Sequence, residues 1–208
     1  MSELKLNKQL KKGLTENGIT ELFEFQEKLV KRINGGGSVY LHGLSGSGKT
    51  TAMIIAVLQK LNYSQPDTPR AILMLSTTED AQSIYNQFKK IASHMDLIIH
   101  LVTEEGTMDD QNMAIYAGAD IIVGTPVRLT KLYFQCGINV NKVNLFILDE
   151  ADKLVTNRNL VELDRFADSL PKFQGIVIDE MPGEKIRKAF ATYMINAVEM
   201  EAIKPDQV

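Results

Sequence analysis

The chain reads as an α/β doubly wound domain, a mostly parallel sheet with helices on both faces. Three observations predict this class. Short, continuously apolar runs alternate with longer amphipathic segments. The runs lack the polar alternation of a half-exposed strand, so both of their faces have to be covered. At 208 residues the chain is long enough for one such core without a metal or disulfide staple, and it has a single Cys. Hydrophobic residues make up 44% and charged residues 24%, which excludes disordered and fibrous classes. Apolar stretches such as Met53 to Leu58 fall far short of the ~20 residues of a membrane span, and the charged N-terminus has no signal-peptide core. The expected compartment is the cytoplasm, with no membrane partner.

Taken in order, the first 32 residues carry a helical pattern, and Asn34-Gly35-Gly36-Gly37 punctuates the chain before a buried strand at Val39-Tyr40-Leu41. A helix is expected from about Thr50 to Leu61, closed by the polar, Pro-containing loop 62–69. Strands are expected at Ala71 to Leu75, Ile98 to Val102, Ile121 to Val123, Leu145 to Leu148 and Gly175 to Ile178, with a weaker one at Ala197 to Ile203. Helices are expected at Glu79 to Ile91, Asp109 to Ala117, Leu160 to Leu170 and Glu184 to Met194. In such sheets the ligand lies beyond the carboxyl ends of the strands.

The formal charge is −3, so no global positive field points to a nucleic-acid partner. Any polyanion site has to be local. His42, His94, His100 and Cys136 show no metal-ligand spacing.

Gly43-Leu44-Ser45-Gly46-Ser47-Gly48-Lys49-Thr50 matches the G-x-x-x-x-G-K-[ST] phosphate loop, set between a strand and a helix as that loop requires. Glycines let consecutive N–H groups turn inward onto phosphate oxygens. Lys49 is placed to reach the β- and γ-phosphates and Thr50 to offer a hydroxyl to Mg²⁺, with Thr51 in the first helical turn beside them. About a hundred residues on, Leu145-Phe146-Ile147-Leu148 ends in Asp149-Glu150-Ala151-Asp152. Asp149 is the candidate metal ligand, and Glu150 the candidate for orienting the attacking water.

These two motifs together resemble the N-terminal RecA-like domain of the DEAD-box RNA helicases. Gly124-Thr125-Pro126-Val127-Arg128 is similar to the family's Thr-Pro-Gly-Arg element, which implies RNA-backbone contacts at Thr125, Pro126 and Arg128. Phe25-Gln26 resembles the end of the family's Q motif, which implies that Gln26 reads adenine. The resemblance implies a helical segment over residues 1–34 and a RecA-like ATP-binding domain over 35–208. ATP with Mg²⁺ is then the expected ligand, held by Gln26, Gly43, Ser45, Gly46, Ser47, Gly48, Lys49, Thr50 and Thr51. Single-stranded or duplex RNA backbone is the expected polymer. The expected activity is ATP hydrolysis, with Lys49, Asp149 and Glu150 as the catalytic groups.

Several positions depart from the family. Ser76-Thr77-Thr78-Glu79-Asp80-Ala81 stands where a Pro-Thr-Arg-Glu-Leu-Ala segment contacts RNA, with Thr78 for the arginine. Residues 101–120 hold five acids and no Lys or Arg. Ile178-Asp179-Glu180 stands where a Ser-Ala-Thr element would give Asp152 a hydroxyl, and ionised acids cannot donate. Weakened coupling to strand separation is therefore expected. Family members also carry a second RecA-like domain, whose arginine finger is worth ~10³ to 10⁵ in rate. Slow turnover follows as an expectation for these residues alone, with a second domain in cis or trans as partner. The competing expectation is a nucleotide-dependent binding module without unwinding activity.

Overall fold

The computed structural model describes residues 4–155, 157–181 and 183–203. The outer ends of the two expected segments, residues 1–3 and 204–208, lie outside this range, as does Pro182 beside the Ile178-Asp179-Glu180 stretch. Two helices open the chain, α1 (Lys8–Glu16) and α2 (Glu24–Asn34). The single helical stretch expected over this region is thus two. Gly18, at φ +76°, turns the backbone into the left-handed region that follows a helix end, where a Cβ is unfavourable. Asn7 caps α1, its Oδ1 accepting from the N–H groups of Gln9 (2.7 Å) and Leu10 (3.3 Å).

The strands are β1 (Val39–His42), β2 (Ala71–Met74), β3 (Ile99–Val102), β4 (Ile121–Gly124), β5 (Leu145–Leu148), β6 (Gln174–Asp179) and β7 (Val198–Glu201). Each apolar run read as a strand is one, with ends shifted by two residues at most. Between them lie α3 (Lys49–Leu61), α4 (Thr78–Ile91), α5 (Met108–Ala117), α6 (Pro126–Lys131), α7 (Ala151–Leu154), α8 (Asn157–Ala167) and α9 (Glu184–Phe190). Helices α6 and α7 were not expected. Both are too short for a periodic pattern, and α6 starts on Pro126, whose fixed φ suits the first helical position. One turn of π-helix, Leu132–Cys136, extends α6. Helix α8 starts and stops three residues before the expected range, and α9 ends at Phe190, where the N–H groups of Tyr193 and Met194 both turn back onto the Phe190 carbonyl.

All strand pairs among the described residues are parallel, in the order β3-β4-β2-β5-β6-β1-β7. Side chains alternate between two cores. Val39, Leu41, Leu73, Val123, Ile147 and Ile178 pack under α1 to α4. Ile72, Met74, Ile122, Phe146, Leu148 and Val177 pack under the helices from α5 to α9. The strands are apolar on both faces because each face has its own helical layer. No helix among the described residues is long and apolar enough to cross a membrane.

At the amino edge of the sheet, Asp120 is fully buried and paired with Arg70 at 2.6 Å. It also accepts from Ser64 Oγ (2.6 Å) and from the N–H groups of Gln65 (2.7 Å) and Ile98 (3.0 Å), tying together the entries to β2, β3 and β4. Burial alone would raise its pKa, but these donors together hold it below the ordinary carboxylate range. Asp120→Ala should therefore cost about 3–5 kcal/mol in denaturant unfolding, because it strands a buried guanidinium. The depressed value also fixes the pH sign. The carboxylate's contribution is complete above its unfolded value, near 3.8, and is lost as pH falls further, so wild type and Asp120→Ala should converge in stability in acid.

Candidate functional site

Opposite that stapled edge, the carboxyl ends of β5, β6 and β1 lie side by side, because β6 pairs with both of the others. A cleft of about 630 Å³ opens over them. Its floor and walls are the loop from Ser45 to Thr51, the residues just past β5 (Asp149, Glu150) and the end of β6 (Ile178, Asp179, Glu180). Asp80, Ser83 and Gln87 of α4 close one side, with Asp152 and Lys153 of α7 at the mouth.

The loop is curled by left-handed glycines, Gly46 at φ +72° and Gly48 at φ +93°, the latter leading into α3. The start of α3 leaves backbone N–H groups without helical acceptors and brings the positive end of its dipole to the cleft. Ser47 Oγ is buried here with no partner. The Lys49 ammonium donates to the carbonyls of Gly43 and Leu44, which hold it over the loop. Gly43 itself is not among the residues that line the cleft. At φ +147° it lets the backbone pass β7, where an added Cβ would come within 2.9 Å of the Ala202 carbonyl oxygen.

Across the cleft, Thr50 Oγ1 donates to Asp149 Oδ2 at 3.3 Å, linking residues 99 apart in sequence. Asp149 is only 5% exposed. Burial pushes its carboxyl up to about 6, and the Glu150 charge adds to the rise; the Glu150 N–H, the Thr50 hydroxyl and Lys49 pull the other way. Glu150 sits at φ +52°, an uncommon conformation for a non-glycine residue and a mark of functional sites. Its carboxylate is held at the mouth by Lys153 Nζ, 2.8 Å away.

Four other expected site residues are not brought into the cleft. Gln26 is 4% exposed and braces the phosphate loop from behind. Its Oε1 accepts from the Phe23 N–H (2.9 Å), and its Nε2 donates to the Gly48 carbonyl (3.3 Å). Thr125, Pro126 and Arg128 are buried. Thr125 Oγ1 donates to Glu104 Oε2 (2.8 Å), and Arg128 donates to the carbonyls of Glu104 (2.9 Å) and Gly106 (2.6 Å). These two side chains stitch the 103–106 loop to α6. The motif reading could not foresee that Arg128 would spend Nη2 on these carbonyls and keep its Nε buried without a partner.

Asp80, Ser83, Gln87 and Lys153 were not singled out from sequence. The signal for the first three was available: polar residues spaced three and four apart on the face of a helix whose other side is apolar. Thr77 caps that helix, accepting from the Asp80 N–H at 3.1 Å and donating to Asp80 Oδ2 at 2.7 Å.

A wholly parallel, doubly covered sheet with a phosphate loop after β1 and an acid after β5 defines a RecA-like P-loop nucleotide-binding domain. A family model described as DEAD/DEAH box helicase matches residues 23–181. The chain belongs to this family and corresponds to its N-terminal, RecA-like domain. It is 29% identical to the ATP-dependent RNA helicase eIF4A of Kluyveromyces lactis over 184 residues, covering 88% of this chain and 46% of that protein. Against the ATP-dependent RNA helicase eIF4A of Candida albicans it is 27% identical over 208 residues, covering 99% and 52%. The chain thus spans about half the length of the curated relatives it matches. Among solved structures, a DEAD box protein from the hyperthermophile Methanococcus jannaschii superposes with a TM-score of 0.88 at 21% identity, covering 98% of this chain and 56% of that one. An S. cerevisiae Dbp5 chain, in a structure whose bound groups include ADP, gives a TM-score of 0.85 at 21% identity, covering 97% and 54%.

Removing the brace behind the loop should be felt in stability before any ligand is added. Gln26→Ala leaves the Phe23 N–H without its partner and takes one of two donors from the Gly48 carbonyl, which keeps the Ala52 N–H, and should cost about 1–3 kcal/mol in thermal unfolding of the nucleotide-free protein.

Proposed function

We propose that this domain binds ATP with Mg²⁺, hydrolyses it, and contacts RNA backbone at the carboxyl edge of its sheet. Support comes above all from one juxtaposition: the Lys49 and Thr50 side chains at the start of α3 face the buried Asp149 in a single concave cleft. The fit to a triphosphate rests on the left-handed glycine loop, the orphaned Ser47 hydroxyl and the N-terminus of α3. No cluster of three or more His, Cys, Asp or Glu poised to hold a metal occurs among the described residues. That suits Mg²⁺, which is commonly bound through one or two carboxylates together with substrate phosphates. Thr50 and Asp149 would be its protein ligands.

When bound, Mg²⁺ supplies neutralisation of charge on the phosphates. The chain's own groups do the rest. Backbone N–H groups from Ser45 to Thr51 orient the phosphates, Lys49 balances their charge, and Glu150, steadied by Lys153, is the group placed to orient a water for in-line attack. Among the described residues lining the cleft, Lys49 and Lys153 are the cations. With no further cation among the described lining residues, and one being worth ~10³ to 10⁵ in rate, turnover by these 208 residues should be slow.

A second reading, a nucleotide-dependent binding module that does not unwind duplexes, is favoured by a specific observation. Arg128 is tied to the Glu104 and Gly106 carbonyls, and the segment that holds those carbonyls carries the exposed acids Glu104, Glu105, Asp109 and Asp110. Such acids repel a phosphate backbone.

Titration calorimetry should show Mg·ATP binding that Lys49→Ala abolishes. Glu150→Gln should retain binding and lose turnover by about 10²-fold or more. RNA that accelerates wild-type hydrolysis supports the first reading; binding with no RNA response, with a second helicase domain supplied, supports the module. Because Asp149 is raised to about 6, protons compete with the cation below that value. Mg²⁺-dependent affinity should therefore rise with pH through about 6 and level off above it, which calorimetry at several pH values would test.

A further inference from the structure

Helix α5 rests on the fold along a narrow strip. Gln111 Nε2 donates to the Thr103 carbonyl at 2.9 Å, Ile115 is buried, and His100 Nε2 on β3 donates to the Gly118 carbonyl just past the helix at 2.8 Å. These contacts fix the rotation of the helix about its axis. Residues 109, 113 and 116, spaced four and three apart, then share the face turned away from the sheet. On that face Met113 is 69% exposed and Tyr116 is 92% exposed. The Pro66 carbonyl accepts from the Ala119 N–H at 2.9 Å, which sets the 62–69 loop and its exposed Tyr63 at the carboxyl end of the same helix.

Single exposed apolar side chains are ordinary, but two large ones on one helical face with no layer above them mark a contact surface. Tyr and Met are enriched at such surfaces. The charge beside them is of one sign. Residues 101–120 hold five acids and no Lys or Arg, and only Asp120 of the five is buried. Asp110 is engaged by its Thr107 cap and Glu104 by the Thr125 hydroxyl. The carboxylates of Glu105 and Asp109 enter no ion pair or hydrogen bond among the described residues, and both are exposed. The fold itself therefore supplies neither a cover for the apolar pair nor a counter-charge for the acids.

We propose that the outer face of α5 is a docking surface for a basic, amphipathic protein segment, whose apolar side chains cover Met113 and Tyr116 and whose Lys or Arg side chains meet Glu105 and Asp109. Charge complementarity selects this occupant. Nucleic acid and anionic lipid are polyanions, and unpaired acids repel both. A small ligand needs a concavity, whereas these side chains stand on the outside of a helix and away from the nucleotide cleft. A polypeptide that is both basic and apolar satisfies the two demands together. The proposal names a partner class for the binding-module reading and rests on it.

The test uses the whole chain without nucleotide, so its failure leaves ATP binding and hydrolysis to be judged by their own assays. The probe is a synthetic helix of Lys and Leu at amphipathic spacing, followed by NMR of the methionine methyls and backbone amides. Saturable shifts should centre on Met113 and on amides 104–117. Met113→Ser with Tyr116→Ser should weaken binding by about tenfold or more. Glu105→Gln with Asp109→Asn should weaken it similarly and flatten its dependence on salt between about 50 and about 300 mM. Both pairs of substitutions lie on exposed positions and should leave the melting temperature and Mg·ATP affinity as in wild type. Shifts scattered over other acidic surfaces, or affinity unchanged in the Ser variant, would overturn the proposal. So would an RNA oligonucleotide that shifts the same resonances, or self-association of the chain that the Ser variant abolishes, since the occupant would then be nucleic acid or a second copy.

Discussion

The site depends on one constraint: a carboxyl group at the end of β5 has to meet a hydroxyl and an ammonium at the start of α3 although β6 stands between their strands. The sheet order satisfies it, because β1 and β5 both pair with β6 and all three end on the same edge. The 3.3 Å contact from Thr50 to Asp149 spans that intervening strand. Meeting there costs both groups their water, and the raised Asp149 carboxyl records the cost. Under the proposed function, a divalent cation would restore what burial removes from this acid.

The sheet divides labour between its two edges. Arg70 and Asp120 bind the amino ends of β2, β3 and β4 into a network whose oxygens all have donors, which suits a structural role. At the carboxyl edge, Ser47 Oγ and Asp179 Oδ2 are buried without partners. Orphaned atoms occur at the amino edge too, where Arg70 Nε and Thr68 Oγ1 are buried without partners; those at the carboxyl edge differ in belonging to residues that line the cleft. Arg128 and Gln26 stand between these extremes: Arg128 Nη2 and Gln26 Nε2 donate to the protein's own loops, while Arg128 Nε is buried without a partner.

Much of the domain was legible in the residues. Apolar runs placed every strand, because a strand covered on both faces cannot hide its composition. The phosphate loop and Asp149-Glu150 were legible because their chemistry needs particular residue types at close spacing. Short elements escaped: α6 and α7 are held by tertiary contacts, and neither is long enough to show a helical period. The break between α1 and α2 was missed because both helices are amphipathic and the turn at Gly18 interrupts the pattern only briefly.

By itself the sequence determined the fold class, the family likeness and the two motifs, since these follow from local composition and spacing. Only the tertiary structure decided which side chains share the cleft, which way they turn, and what charge they carry there. Gln26 and Arg128 match motif positions, yet the fold turned their hydrogen bonds inward. Asp179 looked like an ordinary acid in a string of letters, and burial pushes its carboxyl up to about 6. The physical reason is common to all three: hydrogen-bonding capacity and protonation are set by neighbours and by exclusion of water, and neither is written in the order of residues.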